Sequence, residues 1–104
     1  MRIEHDFLGE IKIPDEIYYG VQTTRAVDNF VITGHKLHDD FIKSFGIVKA
    51  AAAKANMKTG RMPSKIGNAI VQAAEEIANG KFHDQFVVDC IQGGAGTSMN
   101  MNAN

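Results

Sequence analysis

The chain has 104 residues, about the length of one small domain, and its 44% apolar and 22% charged residues are typical of a folded globular protein. Eleven Lys/Arg against twelve Asp/Glu give a net charge of -1, which excludes the broad basic field that holds a nucleic acid or an anionic membrane. No apolar run approaches the roughly 20 residues that span a bilayer, and no signal-peptide pattern opens the chain.

The cellular compartment is predicted from the same features. The one cysteine, Cys90, cannot form a disulfide within the chain, and a lone thiol suits a reducing compartment. We therefore expect a cytoplasmic protein.

The first thirty residues predict a hairpin-like element and a short helix. Residues 2 to 14 alternate imperfectly between apolar and charged side chains around Gly9, which favours two short extended segments joined by a turn. Pro14 ends the second segment. The apolar spacing in VQTTRAVDNF, residues 21 to 30, indicates a short helix.

Two longer helices are predicted for the middle of the chain. The first begins at Asp39 or Asp40, both good N-cap residues, and ends near Gly60. Spacings of four and three residues predict that its buried face consists of Phe41, Phe45, Val48, Ala52 and Ala55. The second begins at Pro63 or Ser64 and ends at Gly80. Its apolar stripe consists of Ile66, Ile70, Ala73 and Ile77. The short link predicts an antiparallel pair.

Beyond Gly80 the pattern predicts one further helical turn, a short extended piece at residues 86 to 88, and then a glycine-rich loop. Gly93, Gly94 and Gly96 allow a ligand to approach the main chain, and Thr97 and Ser98 are able to cap a helix that follows. Free backbone N–H groups and the helix dipole would favour an anion there. A turn that only caps a helix is an equally good interpretation of the composition.

The pattern argues against a nucleotide as the ligand of this loop. A P-loop needs Lys directly before its Ser/Thr, whereas Gly96 precedes Thr97. The GxGxxG spacing of dinucleotide sites is also absent. A small carboxylate is therefore the favoured ligand. The four histidines show no metal-ligand spacing, so no metal site is predicted.

Four blocks carry a resemblance to a known family: RIEHDFLGE, IPDEIYYGVQTTRAVDNF followed by ITG, IGNAIVQAAEEI, and QGGAGTSMNMNAN. In this order and spacing they resemble the N-terminal region of aspartate ammonia-lyases in the fumarase/aspartase superfamily. Class II fumarases are similar throughout but typically carry SGTQSNMNxN in the last block. The GAGTSMNMN form therefore favours the aspartases.

The resemblance implies a mainly α fold: the helical N-terminal domain of the fumarase/aspartase fold, over residues 1–104, with a small β-hairpin-like element at the start. It also implies reversible elimination of ammonia from L-aspartate to give fumarate, without an organic cofactor, in a homotetramer. Thr97, with the backbone N–H groups of Gly96 and Ser98, is similar to a substrate-carboxylate site of the family. Arg25 is expected to assist in the neighbourhood of the active site.

The catalytic base of the family is a serine on a mobile loop with a GSS signature, which is absent from this chain. We therefore expect a truncated chain that lacks the central helical bundle and the C-terminal domain and is inactive alone. Two other interpretations stay open. In the first, the parent protein would be a fumarase or another fumarate-forming lyase. In the second, the chain itself would serve as a noncatalytic helical module.

Overall fold

The computed structural model describes all 104 residues and contains four α-helices and one two-stranded sheet. Its residues form two compact units. We call Met1–Leu37 together with Asp84–Asn104 the terminal unit, and His38–His83 the helical unit. The prediction of a mainly α fold with a β-hairpin at the start is confirmed.

The terminal unit begins with the predicted hairpin. Strand β1 (Arg2–Asp6) pairs antiparallel with strand β2 (Gly9–Ile13), and Asp6 lies opposite Gly9. The connecting turn therefore consists of Phe7 and Leu8, and the Leu8 N–H donates to Asp6 Oδ1 at 2.9 Å. Ile13 at the end of β2 is almost fully buried and anchors the hairpin in the core of the unit.

Helix α1 (Val21–Asn29) follows, as predicted, and buries Val21 and Thr23. The segment that enters the helix is held by Arg2, whose guanidinium donates to Pro14 O and Tyr19 O at 2.9 Å each and pairs with Glu4. One planar group with five donors thus fastens the hairpin to the start of α1.

The second part of the terminal unit is irregular until its last helix. The further helical turn is present as a 3-10 turn, His83–Gln85, whose last two residues belong to this unit. Helix α4 (Thr97–Ala103) packs against α1. Residues 86 to 88 form no strand, although Phe86 and Val88 are buried. The N–H groups of Val87 and Val88 donate to the Asn102 side chain and not to a neighbouring strand.

The helical unit consists of the two long helices predicted from the sequence, α2 (Asp39–Lys58) and α3 (Ser64–Ala78). Gly60 and Gly80 follow their ends with positive φ angles of 75° and 98°, a conformation that glycine adopts without strain. The N-cap of α2 is His38, one residue before the predicted Asp39 or Asp40, because its Nδ1 accepts the Asp40 N–H at 3.1 Å.

The predicted buried faces of α2 and α3 are wrong. Phe41 and Val48 are 49% and 62% exposed, and Ile66 is 54% exposed. The buried residues lie on adjacent faces and, apart from Ile42, are small: Ile42, Gly46, Ala50 and Ala53 on α2, and Gly67 and Ala74 on α3.

Close backbone approach explains why the small-residue faces are buried. A Cβ at Gly46 would lie 2.6 Å from Ala74 O and 2.7 Å from Ala78 N, so the two backbones touch at this point. A large side chain in place of Gly46 would hold the helices apart. Since the start of α2 meets the end of α3, the pair is antiparallel, as predicted.

Candidate functional site

The glycine-rich loop occupies residues 93 to 96 and leads directly into α4. Gly94 and Gly96 have φ angles of 76° and 85°, in the left-handed region that favours glycine. Gly96 is the N-cap of α4. Gly93 lies against the Phe30 ring, where an added Cβ would be 3.3 Å from Cζ. Backbone conformation therefore favours glycine at 94 and 96, and a Cβ at 93 would need the Phe30 ring to shift by a few tenths of an ångström.

Thr97 and Ser98 are the first two residues of α4. The prediction that they cap the helix is wrong, because Gly96 occupies the cap position and no side chain makes a cap hydrogen bond. The Thr97 side chain is exposed and forms no hydrogen bond within the chain. The N–H groups of Gly96, Thr97 and Ser98 likewise donate to no oxygen of the protein. Three N–H donors and one hydroxyl thus lie side by side along the chain.

Gln92 spans the two ends of this loop. Its Nε2 donates to the Asp89 carbonyl at 2.9 Å, and its Oε1 accepts the Met99 N–H at 2.9 Å. The Met99 N–H belongs to the first turn of α4 and would otherwise have no partner in the helix. Gln92 therefore ties the chain before the loop to the helix after it.

Asp89 is a buried carboxylate immediately before this segment, with 7% of its surface exposed. It accepts four hydrogen bonds, from Ile91 N–H, Thr33 N–H, Thr33 Oγ1 and Gly34 N–H, at 2.8 to 2.9 Å. The Ile91 N–H is the main cause that holds the pKa of Asp89 well below its ordinary value, with further lowering by Thr33 and Gly34 against the opposing effect of burial. The carboxylate stays ionised and joins residues 33 and 34 to the start of the loop.

Asn102 fixes α4 from its buried side. Its Oδ1 accepts the N–H groups of Val87 at 2.9 Å and Val88 at 3.4 Å, and its Nδ2 donates to Gln85 O at 2.9 Å. The side chain is buried and its hydrogen bonds replace the strand pairing that residues 86 to 88 lack. The orientation of α4, and with it that of Thr97, depends on this amide.

Arg25 lies on α1 and its guanidinium is paired with Asp6 of the hairpin. With Leu8, Ile11, Ala26, Asp28 and Asn29 it lines an open cavity of about 500 Å³. Neither Thr97 nor Ser98 lines this cavity. The structure therefore keeps Gly96, Thr97 and Ser98 together and places Arg25 at a separate cavity of the terminal unit.

Sequence reasoning missed Asp89, Gln92 and Asn102 as residues that shape the loop. Asp-x-x-Gln directly before the glycine run was the available signal for the first two, because polar side chains beside a flexible loop commonly bind its backbone. For Asn102 the sequence offered no signal that distinguished it from the other Asn residues of the last block.

A profile of a family described as lyase matches residues 9–104. The chain belongs to this lyase family. Aspartate ammonia-lyase of Bacillus subtilis is 63% identical to the lyase chain over 103 residues, which are 99% of this chain and 22% of that protein. The chain thus spans about a fifth of the length of the curated relatives it matches.

Solved structures of the same superfamily are similar to the lyase chain in fold as well as in sequence. A fumarate lyase:delta crystallin from Brucella melitensis gives a TM-score of 0.95 at 47% identity, over 99% of this chain and 24% of that one. A class II fumarase from Schistosoma mansoni gives 0.92 at 38% identity, over 98% of this chain and 22% of that one. In the lyase chain itself, no helix is both long and apolar enough to cross a bilayer.

Proposed function

We propose that this chain is the N-terminal domain, residues 1–104, of an aspartate ammonia-lyase, which converts L-aspartate reversibly to fumarate and ammonia without an organic cofactor. The observation that carries the proposal is the loop GAGTSMNMN in a chain that is 63% identical to a protein named aspartate ammonia-lyase. The class II fumarase is similar at 38%. The higher sequence identity to the aspartate ammonia-lyase than to the fumarase therefore favours an amine over a hydroxyl as the leaving group.

The loop is proposed to bind a carboxylate of the substrate. Elimination removes a proton from the carbon next to the carboxylate remote from the amine, and the electron pair of that C–H bond then forms the double bond as the amine leaves. Negative charge builds on the carboxylate before the amine departs, so donors that already face it lower the barrier. The Thr97 hydroxyl and the N–H groups of Gly96 and Ser98 are the donors, since none of them has an acceptor in the chain.

Arg25 is proposed to support the neighbourhood of the active site. Its Nε and Nη2 are occupied by Asp6 and Gly9, while Nη1 makes no hydrogen bond within the chain. We assign it to holding the hairpin turn on α1, with Nη1 left to face the open cavity beside it. No residue of this chain is assigned as the catalytic base, and the chain alone is expected to be inactive.

The parent protein is proposed to be a cytoplasmic homotetramer. Large apolar side chains that the chain leaves exposed, including Phe41, Val48 and Ile66, support burial against other parts of an assembly. The single free thiol, Cys90, supports a reducing compartment. Sedimentation of the parent protein as a monomer would contradict the proposed assembly.

The test is the rate of fumarate formation by the parent protein with L-aspartate and, separately, with L-malate. We expect fumarate from L-aspartate and none from L-malate. Turnover of L-malate alone would overturn the proposal in favour of a fumarase, the alternative that the similar fold of the class II fumarase supports.

A complementation assay tests the contribution of the chain itself. The 104-residue chain is assayed alone and after mixing with a parent protein that carries Thr97→Ala. We expect no activity alone and recovered activity on mixing, because the chain would supply the intact loop. Activity of the chain alone would overturn the assignment of the base to another segment. No recovery on mixing would favour the noncatalytic module.

A further inference from the structure

We propose that Gln92 is a positioning residue for Thr97, which it holds by bridging the two ends of the glycine-rich loop. This inference rests on the proposed function. Gln92 makes two side-chain hydrogen bonds of 2.9 Å. Its Nε2 donates to the carbonyl of Asp89, which precedes the loop, and its Oε1 accepts the N–H of Met99, which follows it. Thr97 lies between the two points that Gln92 connects.

The loop needs such a bridge because it is unusually free to change conformation. Three of its four residues are glycines, the residue type with the largest backbone entropy to lose on ordering. Thr97 has no side-chain hydrogen bond that would hold it. The bond from Met99 to Gln92 closes a span of seven residues and restricts every residue inside it.

The end of the bridge at Asp89 is held by several hydrogen bonds, so Gln92 connects the loop to a well-anchored residue. Asp89 is buried and its carboxylate is held by donors from Thr33, Gly34 and Ile91. The partners at residues 33 and 34 are 56 and 55 residues away in sequence, so the anchor is tied to a distant segment of the chain. Gln92 therefore connects α4 to a fixed part of the terminal unit.

The bridge also occupies one N–H group of the first turn of α4. Gln92 takes the Met99 N–H, the third of the first turn, and leaves those of Thr97 and Ser98 without an acceptor in the chain. Loss of the bridge is expected to weaken substrate binding and to slow the chemical step, because the donors that Gln92 positions bind the carboxylate and also stabilise the charge that develops on it.

The experiment compares kcat and KM of the parent protein with those of Gln92→Met, Thr97→Ala and the double variant. Methionine keeps the length of the side chain and removes both hydrogen bonds. We expect KM for L-aspartate to rise about tenfold in Gln92→Met, the effect of losing about one net hydrogen bond in binding, and kcat to fall as well, because the same donors stabilise the developing charge. We also expect Thr97→Ala to raise KM less in the Gln92→Met background than in the wild type, because both changes disable one site.

Two further variants separate positioning from stability. Gln72→Met makes the same chemical change at an exposed residue of α3 without a hydrogen bond, and we expect wild-type KM. Gln92→Asn keeps the amide but is one methylene too short to reach both partners, and we expect it to raise KM even if Gln92→Met folds poorly. Faster amide exchange at Met99 should accompany the change in KM.

An unchanged KM in both folded Gln92 variants, or effects of Gln92→Met and Thr97→Ala that simply add, would overturn the inference. A parent protein that converts neither L-aspartate nor L-malate would instead remove the proposed function on which it rests. The wild-type rate thus distinguishes the two failures.

Discussion

Arg25 of helix α1 and Asp6 of strand β1 form a bidentate ion pair. Arg25 Nε lies 3.0 Å from Asp6 Oδ2, and Nη2 lies 2.9 Å from Oδ1. The same Nη2 donates to Gly9 O at 3.2 Å, so the pair holds both strands of the hairpin at their turn. Hydrogen bonding to Arg25 is the main cause that lowers the pKa of Asp6 below its ordinary value.

Replacing Arg25 by lysine should loosen the hairpin. Lysine keeps the charge but offers a point charge in place of the planar fork, so it is unable to hold both carboxylate oxygens and Gly9 O together. We expect Arg25→Lys to lower the Tm of the chain by a few degrees in thermal unfolding followed by circular dichroism. Arg61→Lys, at an exposed arginine whose side chain makes no hydrogen bond, is the control. Equal Tm values for the two variants would contradict the prediction.

The stability of the chain should fall as the pH falls below about 4, the ordinary pKa of aspartate. The folded-state pKa of Asp89 lies below that of the unfolded chain, so the unfolded state binds the proton first. The contribution of Asp89 is complete above the unfolded pKa and is lost as the pH falls through the folded one. Urea unfolding midpoints at pH 7, 4 and 3 measure this loss.

Asp89→Asn should flatten the pH dependence and lower the midpoint at pH 7, because the amide accepts fewer of the four donors. Asp28→Asn changes an exposed aspartate of α1 that has no hydrogen bond, and it serves as the control. A pH dependence in Asp89→Asn as steep as in the wild type would show that other groups cause it.

Gly46→Ala and Gly67→Ala should differ although both glycines are buried in helices. The Cβ at Gly46 meets backbone atoms of α3, which are unable to yield, whereas the Cβ at Gly67 meets the flexible Met57 side chain. Overpacking costs about 1–3 kcal/mol and the gain in helix propensity is about 1 kcal/mol. We expect a net loss of up to about 2 kcal/mol for Gly46→Ala and about zero for Gly67→Ala. Urea unfolding measures both, and a more stable Gly46→Ala would refute the close backbone contact.

Thr97→Ala in the parent protein should reduce kcat/KM for L-aspartate. A hydrogen bond to a charged group contributes about 1.5–3 kcal/mol, so the expected loss is about 10- to 100-fold. Thr97→Ser keeps the hydroxyl and should retain most of the activity. Thr59→Ala, at an exposed threonine after α2, is the control. A kcat/KM of Thr97→Ala within twofold of the wild type would exclude Thr97 from the site.

Asn102→Leu should destabilise the terminal unit by about 1–3 kcal/mol, because it leaves the partly buried Val87 N–H and Gln85 O without a partner in the chain. Asn104→Leu makes the same change at an exposed asparagine, the last residue of the chain, and is expected to leave the free energy of unfolding unchanged. Urea unfolding of the two variants compares them directly. Equal stability would mean that water replaces the Asn102 amide.

Local signals were enough to predict the main elements. The alternation around Gly9 predicted the hairpin, and Gly60 and Gly80 marked the ends of α2 and α3 where the structure has left-handed glycines. These predictions succeeded because propensity, capping and turn conformation depend on residues within a few positions of one another. The glycine-rich loop was recognised for the same reason.

The direction in which each helix face points was decided only by tertiary structure. Periodicity shows which apolar residues share a face, but it does not show what covers that face. On α2 the face of Phe41 and Val48 is exposed, and the neighbouring small residues are buried because Gly46 allows the backbone of α3 to approach.

The sequence by itself determined the elements, the lyase family and the loop that carries Thr97. The tertiary structure decided how that loop is held: Asp89 binds residues 55 and 56 positions away, and Asn102 binds residues 14 to 17 positions away. It also decided that Asp6 occupies the fork of Arg25. These hydrogen bonds join segments that only folding brings together, so no local pattern of residues specifies them.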